Sequence, residues 1–242
     1  MIKFFRKIRY NLMSENKTSK YFKYAIGEIL LVVIGILLAL QINNWNQKRL
    51  ESQKEKVVLN QLRLDFKAND SIIKKGLNYF DKSFIYNTLI LKNTGPNVTL
   101  PKDEISRDSL KRLVYPKVNL VNSSLNISSQ QFDIITSENL KILLSKFPSI
   151  YTSYLEVEEE VKKLTIKQRV HFKNYVSVIE NDKDFDQENF KSDMLSVFRD
   201  RDFQNTTVDK RWNLKNALSV LERIDKENNL ILELIKTELN DD

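Results

Sequence analysis

An acidic run around residue 187 is the stretch of this sequence that most resembles a chemical site. The residues NDKDFDQENFKSD, 181–193, place carboxylates at positions 1, 3, 5, 7 and 12 of a helix-loop-helix calcium loop: Asp182, Asp184, Asp186, Glu188 and Asp193. Two defining features are missing, because Gln187 stands where the sharp turn needs glycine and Asp193 stands where the loop needs a bidentate glutamate. We interpret the run as a solvated acidic loop, and whether residues 182–193 bind calcium stays open.

Other reactive side chains are scarce. The chain has no cysteine and one histidine, His171, and only Gly76 and Gly95 among its four glycines follow residue 35. These counts leave no thiolate chemistry, no Ser-His-Asp set, no metal cluster and no glycine-rich phosphate loop. We therefore expect no catalytic, cofactor-binding or metal-binding residues, no evident small-molecule substrate, and a protein that is not an enzyme.

One long apolar stretch, YAIGEILLVVIGILLALQI, covers Tyr24–Ile42 and organises the chain. Nineteen residues of helix extend about 28 Å, which is close to the hydrocarbon thickness of a bilayer. Ten of the twelve residues from Ile29 to Leu40 are Ile, Leu or Val, and together they favour insertion more strongly than Glu28 opposes it. We predict a transmembrane helix over 24–42. A buried core helix and a cleaved signal peptide are the alternatives, although no A-x-A-like cleavage site follows.

Three residues of this stretch could contact another membrane helix. Gly35 and Ala39 form a small-xxx-small pair that lets two helices approach closely, and Glu28 lies near the same face. A carboxylate inside a membrane usually faces a partner or water, although Glu28 could also extend to the nearby interface. We expect Glu28, Gly35 and Ala39 to form a contact with a protein partner or with a second copy of the chain.

The positive charge of the protein is concentrated before the apolar stretch. The net charge is +7, and residues 1–24 hold seven Lys or Arg against one Glu, whereas residues 43–242 hold 32 basic and 30 acidic side chains. This distribution indicates a topology signal and contact with the lipid bilayer rather than nucleic-acid binding. We expect a bacterial inner-membrane protein that crosses the membrane once. Residues 1–23 would form a basic cytoplasmic tail, and residues 43–242 a helical periplasmic domain.

Residues 43–242 carry the pattern of long amphipathic helices. Leu59, Phe66, Ile73 and Phe80 repeat every seven residues, and a similar stripe runs from Leu214 to Leu239, interrupted by Asn228. We predict an all-α protein, with one N-terminal transmembrane helix followed by an elongated antiparallel helical bundle with coiled-coil-like packing. The expected helix ranges are 43–92 with a break near residue 70, 103–114, 128–135, 137–147, 148–179, 189–199 and 207–239.

The N-terminal residues also carry a resemblance to a known family. The segments FFRKIRYNLMSENKTSKYFKYAIGE and KYAIGEILLVVIGILLALQINNWNQKR, within Met1–Arg49, resemble the opening of an uncharacterised bacterial family of short, single-span membrane proteins. This resemblance implies a basic tail, an anchor and a helical remainder, and it implies no activity.

Two classes of function are compatible with these features. The first is a membrane-anchored envelope protein that acts as an interaction scaffold or accessory subunit. The second is an extracytoplasmic sensory or ligand-binding helical module. A sensor needs an output, and a tail of about 24 residues is too short to hold a signalling domain, which favours the first class.

Overall fold

The computed structural model describes Tyr10 and residues 18–102, 110–181 and 190–240. Within these ranges the chain is helical and contains no β-strand, which confirms the expected all-α class. Six α-helices are described there, numbered α1 to α6 in chain order: Thr18–Lys92, Asn122–Leu125, Ser129–Ile134, Glu138–Lys173, Met194–Arg199 and Arg201–Leu239. Two short 3-10 helices, Leu110–Arg112 and Val178–Asn181, complete the regular structure.

The chain divides into two compact units, Met1–Lys56 and Val57–Asp242, and α1 contributes residues to both. Of the described helices, α1 is the one that is long and apolar enough to cross a membrane. None of the residues in its most apolar window is buried, and Leu31 and Leu37 each expose more than half of their surface. Since apolar surface is driven out of water, this helix supports the expectation of a membrane anchor over 24–42.

In the unit Val57–Asp242, side-chain contacts define the relative directions of the three long helices. The ring of Phe66 in α1 lies 5.0 Å from that of Phe147 in α4, and Phe80 lies 6.0 Å from Tyr154. The later residue of α1 contacts the later residue of α4, so the two helices are parallel. Helix α6 is antiparallel to α1. Asn228, late in α6, donates from Nδ2 to the Phe66 carbonyl, whereas Asn87, further along α1, donates from Nδ2 to the carbonyl of Thr207, early in α6. The expected antiparallel packing is thus present between α6 and each of its two long neighbours.

Because α1 and α4 are parallel, the chain must travel back along the bundle between them. Residues 113–121, called here the return segment, do this without forming a helix or a strand. Val118 reaches α1 at Gly76, and further along Val121 N–H donates to Asn69 Oδ1. Parallel neighbours always require a long crossover connection, and here that connection supplies core side chains as well.

Buried side chains bind the backbone of the return segment. The Glu158 carboxylate accepts from Val118 N–H at 3.1 Å and from the Tyr154 hydroxyl in a short hydrogen bond. The Tyr151 hydroxyl donates to the Val118 carbonyl at 2.9 Å. Burial, together with the bond to Glu158, raises the pKa of Tyr154 far above its usual value, so this phenol remains a donor. Asn69 Nδ2 donates to Ser124 just beyond the segment.

The predicted apolar stripes form the core. All four residues of the heptad repeat in α1 are buried, and Leu214, Leu221, Ile224, Ile231 and Ile235 of α6 lie in the same cluster. Asn228, which interrupts the stripe in the sequence, is also fully buried, and its Nδ2 donates to the Phe66 carbonyl, which pairs the donor side of the amide. A second cluster gathers Ile90, Leu110, Leu113, Val176, Val197, Phe198 and Phe203.

Several helix boundaries differ from those expected. No break occurs near residue 70, because Asn69 turns its amide into the core rather than ending the helix. Pro148 lies inside α4 instead of starting a helix, since Phe147, Ile150 and Tyr151 are buried on either side of it. A proline inside a helix costs about 3 kcal/mol, and burial of these large side chains offsets that cost.

The end of α4 and the start of α6 also differ from the expected boundaries. Helix α4 ends at Lys173 rather than near Ile179, and α6 begins at Arg201 rather than at Thr207. The cause of the earlier start is Asp200, whose side chain accepts from Phe203 N–H at 2.7 Å and caps the helix. By contrast, the capping box of Ser128 and Gln131 is confirmed at the start of α3. Of the expected helix 103–114, residues 103–109 lie outside the described ranges, Leu110–Arg112 form a 3-10 helix, and the chain has no regular secondary structure from Leu113.

The contact between Gly76 and Val118 leads to a prediction about stability. A Cβ atom at position 76 would lie 2.3 Å from Val118 Cγ2, and the stiff, buried valine has little room to move. We expect Gly76→Ala to destabilise the chain, because overpacking costs about 1–3 kcal/mol and the better helix propensity of alanine returns only about 1 kcal/mol. Thermal unfolding of the detergent-solubilised chain, followed by circular dichroism, measures this change.

Val118→Ala provides the matched control. Removing the valine methyl groups opens space for the new Cβ atom, so the double variant should be more stable than the sum of the two single changes predicts. Strict additivity of the two substitutions would show that this contact does not limit stability.

Candidate functional site

The residues expected to contact another membrane helix lie on one face of α1. Glu28, Gly35 and Ala39 follow one another at helical spacing, seven and four residues apart. A Cβ atom added at Gly35 would meet nothing within 4 Å, and Ala39 is exposed. The glycine at this position is therefore not required by packing within the chain.

The acidic run lies mostly outside the described residues, which exclude 182–189. Its last carboxylate, Asp193, is described and caps α5, where it accepts from both the Ser196 N–H and the Ser196 hydroxyl. These bonds lower the pKa of Asp193, with the bond to the Ser196 hydroxyl as the largest cause. His171 lies near the end of α4. In the described ranges, no three His, Cys, Asp or Glu side chains gather as a metal site would require.

A groove that sequence reasoning missed lies between α1 and the chain around the return segment. We call it the basic groove, and its volume is about 550 Å³. One wall comes from α1 and the other from the residues on both sides of Val114. The described residues that line the groove are Tyr79, Lys82, Ser83, Tyr86, Arg112 and residues 114–117. The four α1 residues are spaced i, i+3, i+4 and i+7, so they share one helix face.

The groove is positively charged and aromatic. In the described part of the chain, three Lys or Arg side chains line the groove and no carboxylate does. The Arg112 guanidinium lies 4.8 Å from the centre of the Tyr86 ring, which holds the cation over an aromatic face. Glu159 lies close to one end. Its bond from Lys162 lowers its pKa, and Lys117 adds to that effect. An arginine fork beside tyrosine rings is suited to carboxylates or other planar anions.

A layer of buried polar side chains lies next to this groove and joins the three long helices. Gln168 Nε2 of α4 donates to Asn87 Oδ1 of α1 at 3.1 Å and to the Thr207 hydroxyl of α6 at 2.9 Å. Lys210, one turn further along α6, is only 2% exposed, and its Nζ donates to the carbonyl of Val114 at 3.5 Å. Burial lowers the pKa of Lys210 to about 7.

The comparison with protein families is informative. A model of a family of unknown function (DUF6090) matches residues 28–208. The chain belongs to this family. The resemblance to an uncharacterised family is thereby confirmed, and the DUF6090 match includes Glu28, Gly35, Ala39 and every residue of the basic groove. No curated protein and no solved structure matches the chain. Membership of DUF6090 supplies no activity.

The buried Lys210 leads to a prediction about pH. Its pKa falls from 10.5 to about 7 on folding, so between these values the unfolded chain binds a proton that the folded chain does not. The free energy of unfolding should therefore rise with pH above 7, by up to about 1.4 kcal/mol per pH unit, until the unfolded lysine also loses its proton. Lys210→Met should remove this rise and stabilise the chain at pH 7. Urea unfolding at pH 7, 8 and 9 measures both effects.

Lys146, which is exposed on α4, provides the control. Lys146→Met should leave the pH dependence of the free energy of unfolding as it is in the unchanged protein. If Lys210→Met keeps the same dependence as well, Lys210 is charged in both the folded and the unfolded state at these pH values.

Proposed function

We propose that this protein is a membrane-anchored envelope protein that acts as an interaction scaffold or accessory subunit. The observation that carries the proposal is the contrast between the two units. The unit Val57–Asp242 contains its own buried core, whereas no residue in the most apolar window of α1 is buried. Such a surface needs lipid, and it has room for a second helix.

The proposed location is the bacterial inner membrane, with a single span. The excess of Lys and Arg in residues 1–23 favours a cytoplasmic tail, and residues 43–242 are then periplasmic. A binding role rather than a catalytic one is favoured because the described lining of the basic groove offers cations, phenols and one serine hydroxyl, with no general base beside a nucleophile among those residues. The same groove is the observation that favours the second candidate function, a ligand-binding module.

The proposed topology predicts the behaviour of a C-terminal fusion. An enzyme that is active only in the cytoplasm, fused after Asp242, should give no signal because it would be exported with the helical domain. The same enzyme fused before Met1 serves as the control and should be active. A strong signal from the C-terminal fusion would invert the topology.

The proposed span contact predicts an order of effects in crosslinking. A side chain added at Gly35 meets nothing within this chain, so any effect of Gly35→Ile on association reports contact with another chain. We expect Gly35→Ile to weaken crosslinking in native membranes more than Glu28→Gln does. Bulk at position 35 separates the whole interface, whereas one polar contact between membrane helices contributes only about 0.6 kcal/mol.

Leu37→Phe is the matched control, because it adds bulk on the opposite side of the helix and should leave crosslinking unchanged. If Gly35→Ile also leaves every crosslink in place, the span is only an anchor, and association must use residues 57–242.

A further inference from the structure

We propose that the residues around Val114 form a docking surface for an extended peptide segment of a partner protein, one in which acidic and apolar side chains alternate. This inference rests on the proposed function, since it identifies the chemistry of the partner. Its basis is that Val114 separates two hollows of different character. The side chain of Val114 is 60% exposed and lines both of them.

The second hollow, called here the apolar hollow, lies between the segment at Leu110–Val114 and the end of α4. Its volume is about 410 Å³, and Leu110, Leu113, Phe172 and Val178 supply most of its lining. The cations Arg169 and Lys173 complete the lining together with Val114. An apolar side chain of a partner would lose contact with water here, which stabilises binding by about 1.5–3 kcal/mol when burial is complete.

The charges of the two hollows define the sign of the ligand. The basic groove contributes Lys82, Arg112 and Lys117, and the apolar hollow contributes Arg169 and Lys173. Among the residues that the structure describes, no carboxylate lines either hollow. These five described cations attract an anionic partner and repel a cationic one. Glu159 near Lys117 offsets part of the positive charge at one end of the basic groove. The attraction for an anionic partner is therefore stronger at Arg112 and at Lys173.

The distribution of these cations favours a peptide over a single anion or a lipid. An inorganic anion would occupy one cluster of cations and leave both hollows unfilled. A lipid would need its charge gathered at one end of an apolar slot, whereas here cations lie in both hollows on either side of Val114. In an extended peptide, successive side chains point to opposite sides about 3.3 Å apart. A segment that lies along Val114 can therefore direct its apolar side chains to one side, toward Phe172, and its carboxylates to the other side, toward Lys82 and Arg112.

The experiment uses the full-length protein in a neutral detergent. The probe is a fluorescein-labelled synthetic peptide of eight residues in which Glu alternates with Leu and Phe, and its binding is followed by fluorescence anisotropy. We expect saturable binding that weakens as salt is raised, and about tenfold weaker binding for Arg112→Glu and for Lys173→Glu. A peptide with Lys in place of Glu should not bind.

Matched controls separate this surface from the net charge of the protein. Arg223→Glu in α6 and Lys146→Glu in α4 change the charge by the same amount at exposed positions outside both hollows, and they should bind the probe as the unchanged protein does. Val114→Asp places an acid between the two hollows and should weaken binding as strongly as Arg112→Glu. Each variant is first checked by circular dichroism for an unchanged melting temperature.

Three results would overturn the proposal. The first is no binding of the acidic peptide at millimolar concentration, and the second is an equal loss of binding in the Arg223 and Lys146 variants. The third is binding of phosphatidylglycerol vesicles that depends on Arg112 while the peptide is ignored, which would identify a lipid site. Crosslinking of the span variants is independent of this probe, so loss of the docking surface would leave the proposed scaffold role standing.

Discussion

Hydrogen bonding of the partly buried, non-helical return segment is the constraint on which the helical bundle depends. Two helices that run the same way, α1 and α4, force the chain to return between them, and a non-helical segment in a core has no backbone partners of its own. Glu158, Tyr151 and Asn69 supply those partners from both helices. Polar residues on otherwise apolar faces are thus required for the core to close, since an unpaired buried N–H or C=O group costs about 1–3 kcal/mol.

The same segment connects the architecture to the candidate site. Val118 closes the core against Gly76, and four residues earlier Val114 separates the basic groove from the apolar hollow. The carbonyl of Val114 accepts from the buried Lys210, so the exposed surface and the polar layer inside the bundle share one peptide unit. The position of the docking surface is therefore determined by the packing of α1 and α4.

The periodic parts of the structure could be predicted from the sequence, and the parts that depend on tertiary contacts could not. Leu59, Phe66, Ile73 and Phe80 are all buried, as their spacing predicted. Pro148 suggested a helix start because its local preference is strong, but burial of Phe147 and Ile150 prevails. The basic groove combines residues near 82 with residues near 115, which no local pattern joins. Its one local signal was the spacing of Tyr79, Lys82, Ser83 and Tyr86 on a single helix face.

The direction of α6 has a consequence for synthesis of the chain. Phe66 pairs with Asn228, a separation of 162 residues, and α6 is synthesised after all the other helices that the structure describes. Until α6 has been synthesised, the apolar face of α1 beyond residue 57 is not completely covered, although the long apolar stretch that could cross a membrane has already been made. Contacts this distant in sequence form late and leave apolar surface exposed in the meantime. During that interval, a nascent chain held at a membrane would depend on chaperones or on the bilayer surface to avoid aggregation.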